Sequence, residues 1–458
     1  MTWDGTTGAT LSNITELLKT IYLPAIQEQI KDENILSAFI EVNTEDVSGK
    51  EAKIECHYGR NSGTGSRADG GALPTAGYQK YKQATVGMKY HYGSILVSGP
   101  TIAATRDERG AYARSLENEI TGLVKDVSRE MNRQYWGCGY GVLARWRTTG
   151  SGTSYTIQKK YTSNSAGGNG FGSTFGAKYL SENASAVPVV LGAYSSGFGP
   201  TVDATDIVVS AITEGTEYDT ITVTDPSVTE AAGTFYVRPG SLRSETDATA
   251  AGYGRLECMG LRGIVTDQDL DEIAYFDGTN TGAKVNDPFQ GLAVATYPWW
   301  KASVFAHPTA RYAGQRNLDL IEMQRIFDKI EQKAGKNYGP DMILTTAALR
   351  REYLELCQAD RRSVNEMKLD KGFTALEFNG IPLTTDDDAI DGEMYFLTMK
   401  DLKIYTMSDW EWMQKDGAIL ARVDGYDAYG ATLFRYAEMG ATRRNSHGVY
   451  CDLAYTAT

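Results

Sequence analysis

An α+β fold is the class this sequence predicts, on three observations. A Gly-rich hairpin with an outsized tip runs into one long amphipathic helix, short β-prone runs fill much of the rest, and further amphipathic helices interrupt them. Strands separated by helices of this kind, with late β-rich returns, require long-range pairing rather than a string of local hairpins.

In chain order, residues 12–32 read as an N-terminal helix. Ser12 or Asn13 is its N-cap, Glu16 can complete a capping box with Asn13, and Pro24 kinks or divides it. Ile35–Val42 then leads into the hairpin, with Lys53–Tyr58 as its outgoing strand and Tyr81–Tyr92 as its return. In the return, Ala84, Val86, Met88 and Tyr90 alternate with Gln83, Thr85, Gly87 and Lys89, the period of a strand with one wet face. Its tip, Arg60 to Gly77, far exceeds the usual hairpin loop of about two to five residues, and a long excursion that buries little on its own domain reaches for another subunit. Arg109–Trp136 follows as the long helix, with Tyr112, Leu116, Ile120, Leu123, Val124, Val127, Met131 and Tyr135 on one face. The opposite face, with Arg114, Glu117, Lys125, Asp126, Arg129, Glu130 and Arg133, expects water or partners.

Residues 146–250 change character. Gly, Ser, Thr and Ala dominate, and β-prone runs at Tyr155–Tyr161, Val187–Tyr194, Ile207–Ile212, Thr220–Thr224 and Thr234–Val237 suggest a small sandwich, barrel or decorated sheet. Mixed patterning resumes near Arg255, so the segment reads as an insertion. Helices are expected at residues 317–337 and at Thr346–Gln358, with Pro340–Leu344 a short strand between them. Strands are expected at Ile381–Thr385, Met394–Leu397, Leu402–Tyr405, Trp410–Met413, Ala431–Ala437 and Val449–Tyr455.

Composition narrows the function classes. Hydrophobic residues are 41% and charged residues 22% of the 458, as in an ordinary folded protein, and 48 Gly with 28 Tyr favour strands, turns and contact surfaces. No run of about 18 apolar residues is present to span a membrane. The first residues lack the basic stretch and apolar core of a secretory signal. Five cysteines without a CxxC pair argue against a disulfide scaffold and for a reducing compartment. A net charge of −13 argues against gripping nucleic acid through a broad basic surface.

Catalytic patterns are not found. His57, His91, His307 and His447 are scattered without HExxH or HxH spacing, and neither a GxSxG elbow nor a phosphate-binding GxxxxGK[ST] loop occurs. His57 and His91, one in each expected hairpin strand, read as a structural surface pair rather than a metal site. Asp386, Asp387 and Asp388, with Asp391 nearby, carry oxygens that suit a divalent cation but lack EF-hand spacing; a solvated turn is the expectation. Trp299, Trp300, Trp410 and Trp412 are expected in the core or a subunit interface. Catalytic, cofactor-binding and metal residues are therefore expected to be none.

The order of these pieces resembles a family, the tailed-phage major capsid proteins with the Hong Kong 97 type capsid fold. RADGGALPTAGYQKYK looks like the arm tip and returning strand, ECMGLRGIVTD like the chain re-entering the first sheet, and GPDMILTTAALRREYLEL with GFTALEFNGIPLTTDDDAIDGEMYFL like the second domain. The resemblance implies an N-terminal arm at 1–43, an E-loop hairpin at 44–98 and a peripheral domain with the spine helix at 99–145. It further implies peripheral strands at 251–300, an axial domain at 301–430 and a return to the peripheral domain at 431–458. Residues 146–250 would be a β-rich insertion domain that the minimal fold does not need.

The implied function is structural: a major capsid protein, not an enzyme, forming the icosahedral head around the double-stranded DNA of a tailed phage. Partners would be further copies in pentamers and hexamers, portal and scaffolding proteins, and cement or decoration proteins. Packaged DNA would lie adjacent without sequence-specific binding, no membrane would be involved, and the location would be the virion after assembly in the host cytoplasm. Inter-subunit contact is expected from the arm residues Tyr58, Arg60, Arg67, Leu73, Tyr78, Lys80, Tyr81 and Lys82. Some relatives cross-link subunits through lysine and asparagine; Lys80 and Lys82 lie in the matching arm, but non-covalent locking is expected. Two alternatives stand beside this reading: an encapsulin-like nanocompartment shell, and a β-rich glycan-binding adhesin or glycan-active enzyme using residues 146–250.

Overall fold

The computed structural model describes residues 35–99, 109–139, 141–145, 153–158, 176–180, 209–215, 218–223, 235–237, 256–269, 288–308, 315–359, 366–368, 374–414 and 419–455. The expected helix at 12–32 and the expected strand Val187–Tyr194 lie outside the described residues.

The long helix Arg109–Trp136 has the expected bounds. Its described apolar stripe faces inward: Ile120, Val124, Met131 and Tyr135 are buried, with Leu123 and Val127 packed against the same core. The side chains of residues 109–119 lie outside the described residues. The opposite face departs from expectation in its last turns, where Arg133 is 4% exposed. Its guanidinium holds Glu257 at 2.6 Å and also pairs with Glu130. Burial opposes the Arg133 charge, yet the two carboxylates outweigh it and hold the group protonated above its ordinary range.

One five-stranded sheet carries this helix. Strand Leu402–Trp412 pairs in parallel with Glu41–Asn43 and antiparallel with Ala428–Ala441. Ala428–Ala441 in turn pairs antiparallel with Lys89–Ser98 and with the short Ala421–Arg422. Leu402–Tyr405 and Trp410–Met413, expected as two strands, form one, with register shifts around Ser408 that keep it continuous through a polar stretch. The helix lies close enough to the sheet that a Cβ on Gly93 would meet Val127 Cγ2 at 2.9 Å and Leu123 Cδ1 at 3.1 Å, so glycine is what this crossing admits.

A seven-stranded sheet takes the order Ser303–Phe305, Gly448–Tyr450, Met394–Leu397, Met342–Thr345, Ile381–Thr385, Thr374–Phe378, Glu366–Lys368. Its centre is apolar on both faces because both are covered. Met342, Leu344, Tyr395 and Leu397 join the core shared with the long helix. Ile343, Met394 and Phe396 face the other way, onto helices Leu320–Ala334 and Ala347–Ala359. Asp319 caps the first of these by accepting from Ile321 N at 2.9 Å, and Gly335 at φ 95° ends it.

The outgoing hairpin strand is Glu51–Gly59, and the return is shorter than expected, Lys80–Gly87. At Met88 the chain changes sheets, and Lys89–Ser98 joins the helix-bearing sheet instead. Alternation breaks there by one position: Ala84, Val86 and Met88 are buried, then Tyr90 is exposed and His91 buried. Within 142–237, Ser154–Gln158, Tyr218–Val223 and Val209–Thr213 form an antiparallel sheet, and Val142–Arg145 pairs with Phe235–Val237. Leu143, Tyr155, Ile157, Val209, Ile221 and Val223 share a small apolar cluster of their own.

Candidate assembly surface

The hairpin packs against the subunit along its inner face as far as Tyr58, and its tip beyond stands bare. Its inner face places Ala52, Val86 and Met88 against Tyr405 of the five-stranded sheet, with Ile54 packed beside them. Further out, Tyr58 stacks on Trp299 with ring centroids 5.1 Å apart and planes 7° apart, while Lys82 Nζ sits 5.5 Å from the centre of the Tyr297 ring. The outer face pairs Lys53 with Thr85, Glu55 with Gln83 and His57 with Tyr81, an open polar row.

The tip is a narrow loop held by local bonds. Gly63 N donates to Asn61 Oδ1 at 2.7 Å, Gly71 N to Ala68 O at 2.9 Å, and Arg67 Nε to Ala72 O at 3.0 Å. The two limbs approach so closely that a Cβ on Gly77 would meet Asn61 Oδ1 at 2.4 Å. All eight residues expected at inter-subunit contacts are exposed, with Leu73 at 87%, Tyr78 at 76% and Tyr81 at 63%. Tyr58 and Lys82 already have the intramolecular partners just given; Arg60, Arg67, Leu73, Tyr78, Lys80 and Tyr81 stand further along the arm.

The expected pairing of His57 with His91 is not formed. His57 lies opposite Tyr81, whereas His91 lies opposite Arg435 in the other sheet and is buried. Burial, with Arg435 adding to it and the Ala437 carbonyl opposing it, lowers the His91 pKa to about 4. His447, fully buried with Thr398 N donating to its Nδ1 at 3.2 Å, is lowered by burial to about 3.

The solvated aspartate turn is also corrected. Asp386 and Asp388 are 4% and 7% exposed, and Asp387 alone of the triplet points to water. Asn132 of the long helix donates to Asp386 Oδ1 at 3.0 Å and to Asp388 Oδ2 at 2.7 Å. Leu36 N donates to Asp386 Oδ2 at 3.3 Å, and Lys178 Nζ and Tyr179 OH reach Asp388 Oδ1 at 2.6 and 2.7 Å. The turn thus fastens together the short helix Ile35–Phe39, the long helix, the 176–180 segment and the seven-stranded sheet. These donors went unnoticed in the sequence because none belongs to a motif; only the fold brings them together.

Trp300, Trp410 and Trp412 are core residues, as expected, and Trp299 supports the arm through Tyr58. Arg444 is fully buried and donates to the carbonyls of Ile264, Gly263 and Gln268; burial lowers its pKa to about 10 against the pull of Asp269 and Asp267. Among the described residues no three His, Cys, Asp or Glu side chains form a group able to hold a metal ion, and no helix is long and apolar enough to cross a membrane. All five cysteines are buried and free.

No family model matches the chain, and no curated protein matches it. Solved structures do. The capsid asymmetric unit of cyanophage A-1(L) aligns at a TM-score of 0.52 and 12% identity, over 92% of this chain and 93% of the other. A structure of Mycobacterium phage Bobi aligns at 0.41 and 10%, over 97% and 99%. The holo-SrpI encapsulin complex from Synechococcus elongatus aligns at 0.26 and 9%, over 34% of this chain and 56% of the other. With the near-complete cyanophage alignment as its basis, the conclusion is that this chain has the fold of a phage capsid protein.

Proposed function

We propose that this chain is the major capsid protein of a tailed double-stranded DNA phage, a building block that assembles into an icosahedral shell of pentamers and hexamers and turns over no substrate. The observation that carries this reading is the alignment with the cyanophage capsid protein over nearly the whole of both chains. The bare arm supports it: a ribbon whose tip exposes Leu73, Tyr78 and Tyr81 gains burial when another subunit covers it.

In this reading the hairpin at 44–98 is the E-loop, Arg109–Trp136 the spine helix, and the five-stranded sheet the peripheral domain. The seven-stranded sheet with its two helices is the axial domain, expected at 301–430, except that Leu402–Trp412 and Ala421–Arg422 pair in the five-stranded sheet and Gly448–Tyr450, from the expected return at 431–458, pairs in the seven-stranded one. Ser154–Gln158, Val209–Thr213, Tyr218–Val223 and Phe235–Val237 belong to the insertion domain at 146–250, fastened through Lys178 and Tyr179 to Asp388. Tyr58, Arg60, Arg67, Leu73, Tyr78, Lys80, Tyr81 and Lys82 form the inter-subunit contact, with Tyr58 and Lys82 bracing the arm from within. Each exposed ion pair contributes about 0–1 kcal/mol, weak enough for errors to reverse while many copies sum to a stable particle. Portal, scaffolding and cement or decoration proteins are the further partners, the packaged genome lies against a net acidic chain, and the virion is its place after assembly in the host cytoplasm. Electron microscopy of the purified chain tests the reading: closed shells are expected, and isolated monomers or trimers under all assembly conditions would overturn it.

A further inference from the structure

The turn that joins Thr374–Phe378 to Ile381–Thr385 is two residues long, with Phe378 opposite Ile381 across its neck. Asn379 at φ 52° and Gly380 at φ 78° fill it, a left-handed pair suited to a hairpin turn of this length. Both residues are exposed. The Asn379 side chain is tied to the helix Leu320–Ala334: its Nδ2 donates to Gln324 Oε1, and Gln324 Nε2 donates onward to Asp328 Oδ1 at 2.8 Å. Among the described residues no acceptor takes the Gly380 N–H. The turn therefore sets a side-chain carbonyl carbon beside an uncommitted backbone nitrogen whose own residue has no Cβ to screen it.

We propose that Asn379–Gly380 is a self-modification site, at which the asparagine converts with age to isoaspartate and aspartate. The backbone nitrogen of Gly380 gives up its proton to solvent and attacks Cγ of Asn379. The new N–Cγ bond closes a succinimide ring, the Cγ–Nδ2 bond breaks, and Nδ2 takes a proton and leaves as ammonia. Water then opens the ring. Entry at the backbone carbonyl leaves the chain running through Cγ, an isoaspartate; entry at Cγ leaves an aspartate. One amide and one water become one carboxylic acid and ammonia, so no oxidant, metal or enzyme is needed. Exposure lets water reach the proton, and no hydrogen bond has to break at the attacking nitrogen. The chain's other Asn–Gly pair, Asn169–Gly170, lies outside the described residues.

The product undoes the tie. A carboxylate at position 379 has no N–H to give, and it faces Gln324 Oε1, an acceptor whose neighbouring nitrogen is committed to Asp328. Isoaspartate also adds a backbone methylene to a turn that closes over two residues, so the pairing of Phe378 with Ile381 frays. Leu376, Ile381 and Leu383 stay in their apolar cluster, which confines the loosening to the outer edge of the seven-stranded sheet. On the capsid reading the mark accumulates in a released particle, where no new chain replaces an old one; the chemistry itself requires only this chain.

The test ages the full-length chain, native and guanidinium-unfolded, at mildly alkaline pH. Peptide mass spectrometry with electron-transfer fragmentation then separates isoaspartate from aspartate at position 379. Native conversion is expected within about tenfold of the unfolded chain's rate, and faster as pH rises, because the amide proton leaves first. A native rate slower than that, or one indifferent to pH, would overturn the proposal. Hydrogen exchange over residues 374–385 is expected to rise in the aged chain and in Asn379→Asp. It is expected to stay constant with age in Asn379→Gly, which keeps the positive φ without a carboxamide to convert. Exchange that rises equally with age in Asn379→Gly would place the cause elsewhere and count against the site. None of these readouts depends on shell formation, so they stand or fall apart from the capsid reading.

Discussion

Asp388 meets a lysine, a tyrosine and an asparagine at once, the first two from the 176–180 segment and the third from the long helix. Removing the carboxylate takes away the shared acceptor of Asn132, Lys178 and Tyr179, so Asp388→Ala is expected to lower unfolding stability by about 1–3 kcal/mol, measured by denaturant titration. The pH dependence has two opposing sources. His91 and His447, lowered to about 4 and 3, fold neutral; their contribution is present above the ordinary histidine value of 6.5 and is lost as pH falls toward those values. Asp391, raised by burial to about 6, contributes below the ordinary carboxylate value of 3.8 and loses that contribution as pH rises through 6. Asp391→Asn is therefore expected to raise stability at pH 7 and leave it unimproved near pH 3, with the two stability–pH curves converging in acid. Little of this was legible in the sequence. DDD reads as a wet turn because aspartate is costly to bury alone, and the donor that meets Asp386 from Leu36 is 350 residues away.

At the scale of elements, legibility follows how much of the signal is local. Ile381–Thr385 and Met394–Leu397 fall where expected because turn residues bracket each run, Asn379 and Gly380 before the first and Gly392 before the second, all at positive φ. The return strand ends earlier than its pattern predicts because tyrosine suits both a wet and a buried strand face, so Tyr90 and Tyr92 mask the one-residue phase change at Met88. Arg133 differs from its expected exposure for a related reason: helical spacing gives its direction, but the Glu257 that meets it comes from another segment. Gly93, with no pattern to mark it, stands where the long helix crosses the sheet. Gly93→Val is expected to destabilise the subunit by about 1–3 kcal/mol through overpacking against Val127 and Leu123, read from the shift in denaturation midpoint, whereas Gly49→Val, with open space around it at φ 67°, tests backbone strain without overpacking.

For the whole molecule, the arm tip at 60–77 is the part that joins none of the apolar clusters of the described residues. Its tip bonds are local and its exposed side chains make few demands on the fold. Deleting residues 60–77 and closing the ribbon with a short turn is expected to leave a folded subunit by circular dichroism and sedimentation, and to abolish closed shells by electron microscopy. Intact shells from that deletion would reduce the hairpin to a local role. The overall architecture was legible as an order of parts; which strands share a sheet was not, since partners such as Lys89–Ser98 and Ala428–Ala441 lie hundreds of positions apart and strand propensity carries no address.

That pairing also sets a clock. Among the described residues, Lys89–Ser98 pairs only with Ala428–Ala441, and Ser303–Phe305 only with Gly448–Tyr450. A ribosome therefore makes the arm early and its footing last: until residue 441 emerges, the ribbon hangs from an unfinished sheet. On the proposed capsid reading, a subunit still being translated lacks the base from which its arm would grip, so competence to assemble is expected only once Ala428–Ala441 has paired with Lys89–Ser98.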